Sequence, residues 1–207
     1  MEKSTRLGII GGTFDPIHFG HLLAAECARE AFELQRVIFM PSARPPHKDL
    51  DKVLDSEYRF HMVEAAIKDH PAFEVSSLEL ERKGLSYTVD TLDYYLSELP
   101  GTKIFFIIGV DALRIINTWK DVDRVVGLCE FIVVTRPGYS LEPAESCYQD
   151  LPLVLWEHAH YLEIPGINIS STEIRQRVGD GKSIRYLLPD AVATYIRENH
   201  LYREAQA

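Results

Sequence analysis

Eleven residues near the start of the chain, Gly11-Gly12-Thr13-Phe14-Asp15-Pro16-Ile17-His18-Phe19-Gly20-His21, have the types and spacing to handle phosphate. They follow Leu7-Gly8-Ile9-Ile10, which reads as a short buried strand, and precede Leu22-Leu23-Ala24-Ala25-Glu26-Cys27-Ala28-Arg29, which reads as a helix. Glycines in such a strand-to-helix turn let a ligand approach the backbone closely, and the N–H groups of a helix start attract anions. His18 and His21 are three apart, so on one helical turn they face the same way. Gly20 lies between them with no side chain to block a bound group. The set suits gripping a polyphosphate and stabilising charge as it moves. A second chemistry stays open on the same residues: Asp15, His18 and His21 spell D-x-x-H-x-x-H, which a metal-dependent phosphohydrolase could use.

A second segment, Ile169-Ser170-Ser171-Thr172-Glu173-Ile174-Arg175, reads as a helix start. Ser170 and Glu173 make a capping box, in which the serine caps the helix and the glutamate reaches back to the cap N–H. Ser171 and Thr172 add hydroxyls to the same end. Arg175 lies in the first turn and has Gly179, not a carboxylate, four residues on.

The first segment resembles the G-T-F-D-P-x-H-x-G-H signature of the nucleotidyltransferase superfamily, and the second resembles its I-S-S-T-x-I-R signature. They stand about 150 residues apart, as separate halves of one site would. Superfamily members share a Rossmann-like fold and transfer a nucleotidyl group from a nucleoside triphosphate. Four further segments resemble one branch, the bacterial nicotinate-nucleotide adenylyltransferases: Pro45-Pro46-His47-Lys48, Ser86-Tyr87-Thr88-Val89-Asp90-Thr91-Leu92, Gly109-Val110-Asp111 with Trp119, and Thr135-Arg136-Pro137-Gly138. The matches extend to Pro189 and Tyr195-Ile196, nearly the whole chain.

The resemblance implies an enzyme that joins ATP and nicotinate mononucleotide into nicotinate adenine dinucleotide, releasing pyrophosphate, in NAD biosynthesis. It implies His18, His21 and Arg175 as catalytic residues. Gly11, Gly12, Thr13, Phe14, Ser171 and Thr172 would join them in holding ATP. Lys48, Tyr87, Thr88, Gly109, Asp111, Trp119 and Arg136 would hold nicotinate mononucleotide, with the ring on Trp119 and its carboxylate near Thr88. Mg²⁺ would ride on the ATP phosphates, since no acidic cage is evident. The alternatives are pantetheine-phosphate adenylyltransferase, whose chains carry similar end motifs but are usually shorter, the metal phosphohydrolase, and a catalytically silent nucleotide sensor.

The elements that must position these residues alternate along the chain. Strands are expected over 6–11, 36–41, 73–76, 103–109 and 130–135, with one or two more in 153–156 and 161–164. Helices are expected over 19–32, from an Asp55 or Ser56 cap to Ile67, over 89–99 with Thr88 as cap, in 111–119, and over 122–128, 172–178 and 189–200. Residues 137–152 show no periodicity. The pattern predicts an α/β, Rossmann-like doubly wound, mainly parallel sheet with helices on both faces, in a single domain over 1–207 whose last part, from about 170, is a C-terminal helical extension. Ligands bind such sheets beyond the strand carboxyl ends, where strand order reverses.

Composition is consistent with this. The chain has 207 residues, 46% of them hydrophobic, enough for one sizeable core. A net charge of −9 argues against a general nucleic-acid binder, which would carry a basic surface. No apolar run approaches the ~20 residues that span a bilayer, and the first residues lack a signal-peptide core. Cys27, Cys129 and Cys147 show no C-x-x-C spacing and read as reduced thiols of a cytoplasmic protein. ATP and nicotinate mononucleotide are thus the partners expected, and a homo-oligomer is left open.

Overall fold

The computed structural model describes residues 5–46, 49–138, 151 and 153–203. Among them, six parallel strands form one sheet: β1 Arg6–Gly12, β2 Arg36–Pro41, β3 Phe73–Val75, β4 Lys103–Gly109, β5 Glu130–Thr135 and β6 Ala159–Glu163, in the order β3-β2-β1-β4-β5-β6. Order reverses between β1 and β4, which pair directly from Arg6↔Lys103 to Ile10↔Ile107. The Gly11 turn and the Gly109-Val110-Asp111 segment therefore open into one crevice, as predicted for neighbouring strands.

β4 shows why the sheet must be covered twice. Ile104, Phe106 and Ile108 enter one buried cluster while Phe105 and Ile107 enter another. Successive side chains leave a strand on opposite faces, so an apolar run requires helices on both. On one face lie α3 Leu78–Glu81, α4 Thr88–Glu98, α5 Val110–Leu113, α6 Val122–Leu128 and α7 Leu153–His158, represented in the core by Leu78, Val89, Leu92, Leu113, Val125, Val126 and Leu155. On the other lie α1 Phe19–Ala31, α2 Ser56–Ile67, α8 Ser171–Gly179 and α9 Asp190–Glu198, through Ala25, Ala28, Met62, Val63, Ile174, Val192 and Ile196.

Three local expectations change. Residues 153–156 fall in helix α7, not a strand; four apolar residues in a row do not by themselves separate the two. Thr88 is the first residue of α4 rather than its cap. Tyr87 holds the cap position, and no side chain bonds there. The 111–119 region breaks into α5 and a 3₁₀ turn over Ile116–Thr118. Lys48, Cys147 and the aperiodic segment from 139 to 150 lie outside the described residues.

One buried cation ties the loops at the ligand end. Arg59, on α2, is fully buried. Its Nε donates to the Leu54 carbonyl at 2.7 Å, Nη1 to the Thr13 carbonyl at 2.7 Å, and Nη2 to the Ala43 carbonyl at 3.2 Å. The loops after β1 and β2 and the entry to α2 thus share one guanidinium, which stays charged in proteins and presents a rigid fork of donors. Removing it orphans three carbonyl groups. Arg59→Met should keep the apolar stem and still lower stability by ~3 kcal/mol or more, read as a fall in the urea midpoint with an unchanged m-value. Arg59→Lys should recover only part of the loss, because one ammonium cannot span the three acceptors.

Candidate active site

The crevice at the β1/β4 reversal is a cleft of about 690 Å³. Its floor is the turn Gly11-Gly12-Thr13 and the ends of β4 and β5. One wall is formed by His18, His21 and Ser171, the other by Tyr87, Thr88 and Trp119, with Gly109, Asp111 and Arg136 at its margins. Twelve of the sequence-predicted residues therefore line a single cavity.

The two histidines form a reciprocal cap on α1. The Gly20 N–H donates to His18 Nδ1 at 3.2 Å, and the His18 N–H donates to His21 Nδ1 at 3.3 Å. This is a capping box built from imidazoles in place of hydroxyl and carboxylate. The rings stack with centroids 3.8 Å apart. A nitrogen that accepts from a backbone N–H must hold its lone pair, so each neutral ring carries its proton on Nε2. Burial, and secondarily the positive charge of Arg136, push the pKa of His18 down to about 4. At neutral pH His18 is an uncharged donor of fixed tautomer. Gly20 is needed here because a Cβ would sit 3.0 Å from His18 Nδ1 and Cε1.

The cap also revises an expectation. The start of α1 does not offer free N–H groups to an anion. Phe19 donates to the Leu187 carbonyl at 3.2 Å, Gly20 to His18 Nδ1, and His21 and Leu22 to the His18 carbonyl. Donors on this wall come instead from the imidazole Nε2–H groups. At α8, Ser170 Oγ accepts from the Glu173 N–H at 3.1 Å, leaving the Ser171 and Thr172 N–H groups without intrahelical acceptors. Only that half of the expected capping box forms; the Glu173 carboxylate lies 4.0 Å from Arg177.

Phe14, Thr172 and Arg175 do not line the cleft, and the contacts around them tie its frame together. The Phe14 ring is buried, lies 2.9 Å from where a Cβ on Gly12 would be, and meets His21 edge-on with centroids 5.1 Å apart. Arg175 Nη1 donates to the Asp15 carbonyl at 2.7 Å while Nη2 lies 3.4 Å from Thr172 Oγ1. Ser171 Oγ donates to the Pro16 carbonyl at 2.9 Å. The start of α8 is thereby bolted to the glycine turn across 160 residues of chain.

Asp15 does not join the histidines. Its Oδ1 accepts from the Tyr202 hydroxyl at 2.7 Å, its Oδ2 from the Leu54 N–H at 3.5 Å, and Arg175 Nη1 lies 3.9 Å from Oδ2. Among the described residues no three His, Cys, Asp or Glu side chains converge as a metal site. Asp15 is thus engaged by Tyr202 and the Leu54 N–H rather than set beside the two histidines.

The opposite wall is built around Trp119 and Tyr87. Trp119 packs edge-on against Phe106, centroids 5.9 Å apart, which leaves its other side to the cleft. The uncapped start of α4 places the Thr88, Val89 and Asp90 N–H groups at this end without intrahelical acceptors. Arg136 Nη1 donates to Asn168 Oδ1 at 3.0 Å. Asp111 is exposed, 3.6 Å from Arg114.

Sequence reasoning missed Ser42, Glu79, Ser86, Lys120 and Asn168. Ser86 Oγ accepts from the Ala43 and Arg44 N–H groups at 3.1 and 3.3 Å, pinning the loop after β2. Glu79 is buried beneath this wall, with Oε1 accepting from Thr91 Oγ1 at 2.9 Å; burial raises its carboxyl pKa against the pull of Ser86 and Thr91. In Leu-Glu-Leu-Glu nothing marks one glutamate as buried. Lys120 directly follows Trp119, and that adjacency was the available signal.

The cytidylyltransferase-like family model matches residues 9–177. A "Probable nicotinate-nucleotide adenylyltransferase" of Moorella thermoacetica is 51% identical over 204 residues, covering 98% of this chain and 94% of its own. Another of that name, from Thermus thermophilus, is 47% identical and covers 96% of this chain and 100% of its own. Among solved structures, the Plasmodium falciparum nicotinic acid mononucleotide adenylyltransferase complexed with NaAD superposes with a TM-score of 0.77 at 20% identity, covering 96% of this chain and 97% of that one, and so shares the fold. On a switch-point cleft lined by both signature segments, and on relatives at half identity along almost the whole chain, the protein belongs to the nicotinate-nucleotide adenylyltransferase family.

Proposed function

We infer that the protein transfers the adenylyl group of ATP to nicotinate mononucleotide. What supports this mechanism is the paired-imidazole cap, which engages Nδ1 of both rings and leaves the proton of each neutral ring on Nε2, at the wall where the triphosphate is read to lie. A phosphate oxygen of the mononucleotide attacks the α-phosphorus of ATP in line. The new P–O bond forms as the bond to the β-phosphate bridging oxygen breaks, and pyrophosphate leaves. No protein nucleophile is required, so positioning and charge stabilisation carry the rate. His18 and His21 donate to oxygens on which negative charge accumulates. The Gly11-Gly12-Thr13 turn and the start of α8 seat the nucleotide, and Arg175 holds those two pieces in register. The acceptor ring lies against Trp119, with its carboxylate toward the start of α4 near Thr88; Arg136 serves the acceptor phosphate. Lys48 belongs to the same reading as a mobile phosphate-binding charge.

Mg²⁺ enters this reading on the triphosphate. Among the described residues no carboxylate set converges to hold it. A cytoplasmic site of action also belongs here, consistent with the free thiols of Cys27 and Cys129. Among the described residues no helix is long and apolar enough to cross a membrane.

Pyrophosphate release measured side by side with nicotinate mononucleotide, nicotinamide mononucleotide and phosphopantetheine tests the activity. Nicotinate mononucleotide should exceed its amide at least tenfold in kcat/KM, because charged hydrogen bonds are worth ~1.5–3 kcal/mol. Turnover with phosphopantetheine alone would move the chain to the other adenylyltransferase branch. His18→Asn keeps an acceptor for the Gly20 N–H and removes the Nε2 donor. It should fold yet lose ~10²–10³ in turnover; single-turnover transfer at the parent rate would remove His18 from the chemistry.

The depressed pKa of His18 adds a stability signature. The unfolded chain takes up this proton near the ordinary imidazole value of 6.5, the folded one only near 4. Its contribution is therefore complete above pH 6.5 and is lost as pH falls toward 4. The interval corresponds to about 3 kcal/mol. Denaturant titrations of the parent and His18→Asn should diverge in slope across that window and run parallel above it.

A further inference from the structure

Lys120 is the strongest feature of the cleft that the mechanism above leaves unused. Its side chain lines the cavity beside Trp119, Tyr87 and Thr88. The Nζ sits 4.7 Å from the centre of the Tyr87 ring and 3.3 Å from Asp90 Oδ1. Lys120 and Arg136 are the permanent cations on the cleft wall among its described lining residues. They serve different ends. Arg136 acts electrostatically on His18, at the triphosphate side, whereas Lys120 stands at the aromatic end.

Asp90 makes this placement consequential. It is in the first turn of α4, whose uncapped start follows the cleft-lining Tyr87 and Thr88. An anionic group arriving there meets a fixed carboxylate as well as the helix N–H groups. The nearby charges are mixed: Arg82 Nη2 donates to the Asp90 carbonyl at 3.2 Å and its Nη1 lies 3.4 Å from Thr91 Oγ1, while the Glu79 carboxyl takes the Thr91 hydroxyl. Arg82 is thus committed to backbone and hydroxyl partners, and Lys120 is the cation paired with the Asp90 carboxylate.

We propose that Lys120 is a specificity-determining residue that selects an acceptor carrying a ring carboxylate, by bridging that carboxylate to Asp90. The inference rests on the reading that the acceptor ring lies against Trp119. An ammonium has three donors on a flexible stem. It can keep Asp90, remain over the Tyr87 ring, and take one further carboxylate. Without it, two carboxylates face each other across the start of α4, and like charges at close range raise the energy of the acid complex alone. A neutral amide gains little from the cation and loses little with it.

The test is kcat/KM for nicotinate mononucleotide and nicotinamide mononucleotide in four proteins: the parent, Lys120→Gln, Asp90→Asn and Lys120→Gln/Asp90→Asn. Lys120→Gln should reduce efficiency with the acid far more than with the amide, so that the acid-to-amide ratio contracts about tenfold or more, with KM for ATP little changed. Asp90→Asn should hold or widen the ratio. The double variant should regain part of the acid efficiency lost in Lys120→Gln, which a purely structural ion pair would not give. Equal losses with both acceptors, an unchanged ratio in Lys120→Gln, or no recovery in the double variant would each overturn the proposal. Failure of the underlying reading is separable: a ring bound away from Trp119 appears as unchanged KM for both mononucleotides in Trp119→Ala, and absence of the activity as no turnover by the parent with either.

Discussion

The ligand end of this fold depends on satisfying carbonyl groups where strands stop. Inside the sheet, backbone groups pair with one another. Beyond its carboxyl edge the chain must turn, and the buried carbonyls of Leu54, Thr13 and Ala43 need donors. Arg59 supplies all three from one guanidinium. Ser86 supplies the matching acceptor for two N–H groups of the loop after β2, and Arg175 and Ser171 do the same service for the carbonyls of Asp15 and Pro16. The cleft is therefore walled by loops held by side chains rather than by regular structure, and it is preorganised for the same reason that it is stable.

A similar economy governs the histidines. The geometry that caps α1 also decides which nitrogen faces the ligand. A hydroxyl or carboxylate cap would satisfy the helix equally well but present no outward N–H. An imidazole that accepts through Nδ1 carries its N–H on Nε2, on the far side of the ring. Stability and electrostatic preparation of the cleft thus come from one pair of hydrogen bonds, and burial keeps His18 uncharged at neutral pH.

How much of this could be read from the residues follows from the range of each interaction. The strands with unbroken apolar runs, β4 above all, were legible because period and burial are local. The meeting of the Gly11 turn with Gly109-Val110-Asp111 was legible because the reversal of strand order limits where loops can converge, and β1 and β4 proved to be neighbours. The satisfied start of α1 was not, since the Leu187 carbonyl that takes the Phe19 N–H is 168 residues away in sequence. Asp15 looked like a ligand beside two histidines. Its partner, Tyr202, gives no sign in sequence of where it will dock. Glu79 was illegible for the opposite reason: it is one of two glutamates in Leu-Glu-Leu-Glu, and only packing distinguishes it.

The bond from Tyr202 to Asp15 spans 187 residues, and it fixes the order in which the protein can become competent. Chains emerge from the ribosome beginning at the amino end, so β1, the glycine turn and the histidine pair leave first. The groups that lock that turn arrive last: Ser171 and Arg175 on α8, then the Leu187 carbonyl, then the Tyr202 hydroxyl. During most of synthesis the nascent chain carries a nucleotide-binding signature whose frame is missing, and the frame closes only as those late elements clear the exit tunnel.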